Sequence, residues 1–391
     1  MPGAHIVVCA GETSGDNLAA GMIRAAHALR PDITFTGMGG EQMRAAGTET
    51  LIDVSELAVM GLWEVITQYP RLRGLLRRMQ RHLEATRPNL LVLVDYVEFN
   101  LRLGAHARSL GIPVLFYVSP QIWAWRQQRI HRIKRSVDAM AVLFPFERAI
   151  YEEHGVPVRY VGNPLVDQVA AGDHDLRAEL GLAPGQRLIG LLPGSRSGEI
   201  RRHWPVLVGT ARCLRAQRQD LHFVVPLASG MTEQMLDDVA PRDGLPLTVL
   251  TGRGRARDVM ACSDLLLISS GTATLEAGLL QAPMIVIYRM APLSYTLFSY
   301  LVRVPHIALV NIVAGKRLVP ERLQGAANPE ALCAEALNWL DHPEELDRIR
   351  ESLGQVREKL GAGGADQRIA AAVLEMLDSG RLTTEPHAAH P

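Results

Sequence analysis

Short, unbroken apolar runs alternate along this chain with longer stretches in which apolar residues recur every three or four positions. The runs of the first part are HIVVCAG from His5, NLLVLVD ending at Asp95, VLFYVSP from Val114 and MAVLFPF from Met140. Runs this short, with no polar alternation, predict parallel strands covered on both faces. Between them DNLAAGMIRAAHALR, LRLGAHARSLG and WRQQRIHRIKR have the period of helices. The alternation pauses over VGNPLVDQVAAGDHDLRAELGLAPGQR and resumes with LIGLLPG, HFVVPLA, LTVLTG, LLLISSG and MIVIYRM. Strands and helices in succession predict an α/β chain with doubly wound sheets. The repetition predicts two Rossmann-like domains facing a cleft, residues 1–168 and 169–345, joined near 165–185. NPEALCAEALNWL opens on an Asn N-cap with Pro at the first helical position. Helices over 346–378 and a polar, disordered tail over 379–391 complete the expected organisation.

The length of 391 residues agrees with two hydrophobic cores rather than one. Lys plus Arg equals Asp plus Glu, at 41 each, so any cationic function is local, and the bulk charge argues against a protein that coats nucleic acid. Cys9, Cys213, Cys262 and Cys333 lack CxxC spacing and read as reduced thiols of a cytoplasmic protein, Cys9 and Cys262 in the core. The start, MPGAHIVVCAGETSGD, has no basic region ahead of its apolar run and reads as a first strand, not a signal peptide.

No segment reaches the ~18 to 20 continuous apolar residues of a membrane span. One stretch, LAVMGLWEVITQYPRLRGLLRRMQRHL, has the pattern of a basic amphipathic helix. Leu62, Trp63, Leu72, Arg73, Leu76 and Arg77 are its candidate membrane-facing residues, with Arg71, Arg78 and Arg81 nearby. The alternative is a surface helix packed on the sheet. PLSYTLFSYLVRV is a second apolar candidate. Metal chemistry has no support: there is no HExxH and no cysteine cluster, and Asp173-His174-Asp175 falls in the linker, where it reads as surface.

Ligands of open α/β sheets bind beyond the carboxyl ends of the strands, which selects four loops. In AGETSGDN, Gly11 and Gly15 permit tight turns, and Ser14 or Asp16 can cap the following helix. The same loop carries Glu12. In LVLVDYVEFN, Asp95 ends a very hydrophobic strand, where it is either a general base or a helix-capping or paired carboxylate. LLPGSRSGEI is no Walker A loop; either Gly194 and Ser195 offer N–H groups to a phosphate and Arg196 a bidentate fork, or it is a surface loop with an Arg–Glu pair. In LLLISSGTATLEAGLLQAP, Ser269, Ser270, Gly271 and Thr272 precede a helix and Glu276 follows one turn later; the loop either cradles a phosphate with Glu276 accepting from ribose hydroxyls, or caps the helix with Glu276 in solvent.

The stretch YVSPQIWAWRQQRIHRIKR holds two of the five tryptophans, Trp123 and Trp125, and then Arg126, Arg129 and Arg132 three residues apart. The tryptophans either wall a sugar or pack the turn. The arginines either steer phosphate or pair with local acids.

Taken in order, AGETSGD, GMGG, LAVMG, VDYVEFN, YVSPQIWAWR, LLPGSRSGEI, SSGTATLEAGL, YRM and NIVAGKRLVPERLQ resemble the lipid-A-disaccharide synthase family, glycosyltransferases of the two-Rossmann-domain GT-B type. The resemblance runs from the first strand to about residue 375. It implies transfer of a 2,3-diacylglucosamine unit from its UDP-linked donor to 2,3-diacylglucosamine 1-phosphate (lipid X), giving a β-1′,6-linked disaccharide 1-phosphate and UDP without a metal. It also implies work at the cytoplasmic face of the Gram-negative inner membrane. By the same match Asp95 is the base, with Asn100 retained beside it. Arg196, Gly271, Thr272 and Glu276 are donor ligands, and Asn311 and Gln324 are polar positions near the cleft. Glu98 and Asn163 depart from the family's pattern, where Asp and His are common. A homodimer is expected from the base rate of soluble enzymes. The alternatives are another GT-B enzyme of UDP-GlcNAc (the peptidoglycan transferase or a 2-epimerase) and a non-catalytic nucleotide- or lipid-binding protein.

Overall fold

The computed structural model describes residues 3–57, 62–124, 127–169, 175–228, 230–252, 254–291, 295 and 305–383. For residues 55, 57 and 62–69 only the backbone is described. Among the described residues the strands form two parallel sheets. The first holds β1 (His5–Ala10), β2 (Thr34–Gly39), β3 (Thr48–Asp53), β4 (Leu90–Val94), β5 (Val114–Tyr117), β6 (Ala139–Val142) and β7 (Val158–Tyr160), ordered β3-β2-β1-β4-β5-β6-β7. The second holds β8 (Arg187–Leu192), β9 (Leu221–Pro226), β10 (Leu247–Leu250), β11 (Leu265–Ser269), β12 (Met284–Tyr288) and β13 (Glu321–Leu323), ordered β10-β9-β8-β11-β12-β13.

Each apolar run named above is a strand. Ile6, Val8 and Ala10 join one buried cluster and Val7 and Cys9 the other, because successive side chains leave a strand on opposite faces. Both faces are covered, so neither tolerates a polar residue. Fully burying each such aliphatic side chain contributes about 1.5–3 kcal/mol.

The chain divides into two compact units, residues 1–164 with 363–391, and residues 165–362. This differs from the expected boundaries at 168 and 345. The helix Pro343–Leu360 belongs to the second unit, and the last helix, Ala365–Ser379, returns to the first. It packs on the helix Thr13–Leu29, close enough that a Cβ at Gly21 would lie 2.5 Å from the Asp366 carboxylate. Ile369, Ala370, Val373 and Met376 complete the first core. Helical period marks an apolar face but not which core will receive it.

Two further expectations are corrected. The helix Leu62–Thr86 buries Leu75, Met79 and Leu83 in the first core, with Leu72 and Leu76 packed against it. Leu72 and Leu76 are therefore not free to enter a membrane, whereas Arg71, Arg73, Arg77, Arg78 and Arg81 are exposed. The side chains of Leu62 and Trp63 and most of PLSYTLFSYLVRV lie outside the described residues. Cys213 and Cys333, expected as thiols, form a disulfide between the packed helices Ser197–Gln217 and Pro329–Asp341. A separation of 120 residues and the lack of any motif hid it. Cys9 is buried as expected, which pushes its thiol pKa up, but Cys262 is only half-buried. Among the described residues no helix is long and apolar enough to cross a membrane, and no group of three His, Cys, Asp or Glu could hold a metal ion.

Candidate active site

The order of each sheet reverses at one point, between β1 and β4 in the first and between β8 and β11 in the second. Beyond the carboxyl ends at such a switch point the loops diverge and leave a crevice. The four loops singled out in the sequence follow these four strands.

In the first unit the backbone turns abruptly after β4. Asp95 and Tyr96 have φ of +50° and +42°. Two consecutive non-glycine residues in the left-handed region are costly and cluster where structure serves function. Val118, after the neighbouring β5, has φ of +75°. Three contacts hold the turn. The fully buried Asn100 donates through Nδ2 to the Asp95 carbonyl at 2.8 Å, and to those of Val94 and Cys9 at 3.2 Å. The Asp95 N–H donates to the Tyr117 carbonyl at 3.1 Å. The Tyr96 ring covers Gly11, where a Cβ would fall 2.3 Å from Tyr96 Cγ. Asn100 is thus the brace of the site and Gly11 its required glycine. Burial, and then the charge of Glu12, raise the Asp95 carboxyl pKa above the ordinary carboxylate value. Glu12 and Ser14 are exposed at the start of the helix Thr13–Leu29.

Asp16 does different work. It is buried, and its carboxylate accepts from the N–H groups of Gly40, Gln42 and Met43 at 2.6, 3.0 and 3.1 Å. It caps the helix Glu41–Ala45 across the fold, not its own helix, and is removed from the ligand candidates. Gly15 is buried beside Val94 and Ala10.

Trp123 packs. Its ring stands edge-on to Phe146 at 5.4 Å, and Nε1 donates to Glu147 Oε1 at 3.2 Å. Glu147 was missed in the sequence. It is 2% exposed, also accepts from the Phe144 N–H at 3.1 Å, and burial pushes its pKa up to about 8. Ser119 bridges onward to Tyr151 at 2.8 Å. Trp125 and Arg126 lie outside the described residues. Arg129 and Arg132 pair with Glu98 at 2.5 and 2.7 Å, so these arginines meet a local acid rather than phosphate. This also gives Glu98 a structural task.

In the second unit Gly194 turns the chain after β8 with φ of +114°. The Ser195 N–H, expected with that of Gly194 to face a phosphate, donates to Glu199 Oε2 at 2.9 Å, and the Arg196 N–H joins it at 3.2 Å. Glu199 occupies the anion position of its own loop, and a phosphate would have to displace it. The Arg196 side chain remains 79% exposed, with one 3.3 Å contact to Glu199. After β11, Ser270 Oγ donates to the Ile307 carbonyl at 3.0 Å and Thr274 Oγ1 to Gly271 at 2.8 Å. Gly271 and Thr272 are exposed at the N-terminus of the helix Thr272–Leu279, with open space above Gly271. Glu276 is half-buried and accepts from Arg257 Nε at 2.9 Å.

Asn311 and Gln324 are corrected to structural roles. Fully buried Asn311 donates to the Val319 carbonyl and Glu321, and accepts from the N–H groups of Leu318 and Val319. Gln324 closes on the backbone N–H and C=O of Met290 at 2.9 and 3.3 Å. The Asn311 amide has all four of its bonds spent inside the protein and cannot recognise a nucleotide without breaking one.

Two doubly wound units with their loops at the switch points define the GT-B class. The solved structures agree on the fold. The UDP-GlcNAc 2-epimerase of Neisseria meningitidis aligns with 95% of this chain and 100% of its own at a TM-score of 0.65 and 12% identity. Acinetobacter baumannii MurG aligns with 95% and 100% at 0.55 and 13%. The family model for lipid-A-disaccharide synthetase matches residues 6–372. The lipid-A-disaccharide synthase of Geobacter sulfurreducens is 44% identical over 375 residues, 95% of this chain and 97% of that protein. That of Nitrosococcus oceani is 44% identical over 379 residues, 96% and 97% respectively. The chain belongs to the lipid-A-disaccharide synthase family and is a glycosyltransferase of lipid A biosynthesis.

Proposed function

We propose that the chain transfers the 2,3-diacylglucosaminyl group of its UDP derivative to the 6-hydroxyl of 2,3-diacylglucosamine 1-phosphate. The observation that carries the residue assignment is Asp95, a carboxyl made more basic by burial and by Glu12 at the switch point of the first sheet. In this reading Asp95 accepts the hydroxyl proton as the acceptor oxygen attacks the anomeric carbon in line. The bond to the diphosphate breaks and UDP leaves with the electron pair, so the configuration inverts. Arg196 and the helix N-terminus at Gly271 and Thr272 stabilise the charge that gathers on UDP. Glu276 takes the ribose hydroxyls once Arg257 is released or shared. The exposed arginines of the helix Leu62–Thr86 supply an electrostatic contact with an anionic membrane surface, without insertion of Leu72 and Leu76.

The test is direct. Purified protein given UDP-2,3-diacylglucosamine and lipid X should release UDP and form the disaccharide 1-phosphate, read by mass spectrometry. Inactivity on this pair together with turnover of UDP-GlcNAc onto another acceptor would reject the reading. Binding to vesicles containing an anionic lipid should weaken as salt rises; salt-insensitive binding would refute the arginine contact.

A further inference from the structure

We propose that Arg289 is a ligand of the donor diphosphate and that His203 is the residue that positions it. The proposal deepens the reading above, on which the second unit takes UDP.

His203 lies two turns into the helix Ser197–Gln217 and is fully buried. Its Nδ1 is 2.8 Å from the Pro193 carbonyl, and its Nε2 is 3.0 Å from the Arg289 backbone nitrogen. A carbonyl only accepts and a backbone N–H only donates. The tautomer is therefore fixed, with the proton on Nδ1 and the lone pair on Nε2. Burial, the largest influence, lowers the His203 pKa, and Arg202 adds to this. Glu199 and the bonds at Pro193 and Arg289 work the other way without reversing it. The ring stays neutral, as its two partners require.

The two backbone groups belong to strands that are not neighbours, since β11 lies between β8 and β12. One imidazole thus ties the loop carrying Arg196 to the loop carrying Arg289, on either side of the strand that leads to Ser270 and Gly271. Its ring also lies 6.0 Å from that of Tyr288.

Arg289 is half-buried, and among the described residues its guanidinium makes no hydrogen bond or ion pair. Three other half-buried arginines of this unit are matched: Arg255 with Glu179, Arg257 with Glu276 and Arg322 with Glu335. The adjacent segment 292–304 contains no acidic residue at all. A partly desolvated cation without a counter-charge gains from an arriving anion. Arg196 and Arg202 both work to lower the Tyr288 hydroxyl pKa, against burial and Glu199, so positive charge from the segment after β8 is felt at the end of β12.

Calorimetric titration of the full chain with UDP and with uridine separates the possibilities. Arg289→Ala should weaken UDP about 10- to 100-fold and change uridine less than about twofold, because only the charged bonds are lost. Arg289→Lys should recover part of the loss, supplying charge without the fork. His203→Ala should weaken UDP in the same sense. His203→Gln, whose side-chain oxygen can accept from the Arg289 N–H, should bind better than His203→Ala. In turnover, donor KM should rise while acceptor KM stays constant. Wild-type affinity for UDP in Arg289→Ala would overturn the proposal, as would equal losses of UDP and uridine. A wild-type chain that fails to bind UDP would instead overturn the donor reading beneath it.

Discussion

The carboxyl edges of the two sheets are topologically alike and chemically opposite. The edge of the first sheet carries the half-buried Asp95, the buried carboxyls of Asp16 and Glu147, and non-glycine residues forced into left-handed backbone. The edge of the second carries exposed or unmatched guanidinium groups, a glycine at its sharp turn and a helix N-terminus open to solvent. At the first edge burial makes Asp95 and Glu147 more basic; the second edge presents positive charge at Arg196. The same scaffold serves both because the strand ends fix position while the loop residues set the charge.

The most severe way to break this comparison is Asp95→Asn. It should reduce turnover by about 10²- to 10⁴-fold while UDP affinity, which the proposal assigns to the other edge, stays within error. Full activity in this variant would remove Asp95 from the chemistry.

Next in size is Glu147. Glu147→Ala strands the Trp123 and Phe144 donors and opens a cavity, for about 2–4 kcal/mol of stability; Glu147→Gln should cost less than about 1 kcal/mol. The sign of the pH effect follows from the raised pKa. The folded chain holds a proton on Glu147 up to about pH 8, whereas the unfolded chain releases it near the ordinary carboxylate value. Stability is therefore full at low pH and falls as pH rises through this window, by an amount on the order of a few kcal/mol. Denaturant melts of wild type and Glu147→Gln across the window should converge at low pH and separate above it; parallel curves would contradict the assignment.

A smaller effect sharpens the second edge. Arg196→Ala should weaken UDP by about tenfold, and less at high salt, because the side chain is exposed and its charge is screened. Unaltered affinity would leave Arg289 as the main cation. The smallest belongs to Glu98. Burial works to raise its pKa, and the bonds from Arg132 and Arg129 overcome it, holding the carboxyl below its ordinary value. Glu98→Gln should cost less than about 1 kcal/mol and leave turnover unchanged; a large loss of turnover would restore a catalytic role.

The loops of the candidate site were legible in advance because strand-end loops are local in sequence. Asp95, Arg196, Gly271 and Glu276 all follow strands that their own apolar runs announce. Misassignments arose where a polar side chain spends its bonds on groups inside the protein. Asp16 caps a helix 24 to 27 residues away, and Asn311 folds back on a loop only seven to ten residues ahead. The residues that went unnoticed, Glu147 and His203, are ordinary polar positions within helices. Their significance comes only from what packs against them.

The two tryptophans mark the same division. The sequence alone placed Trp123 just beyond β5, since hydrophobic period determines strands, strand order follows from parallel crossovers, and the switch-point rule then names the loops. Only the tertiary structure decided that Trp123 packs against Phe146 and donates to a buried acid, that Arg129 and Arg132 answer Glu98, and that the last helix closes the first core. The physical reason is range. Backbone propensity and periodicity act over a few residues, whereas hydrogen bonds, ion pairs and burial are settled by whichever groups the finished fold brings within about 3–4 Å.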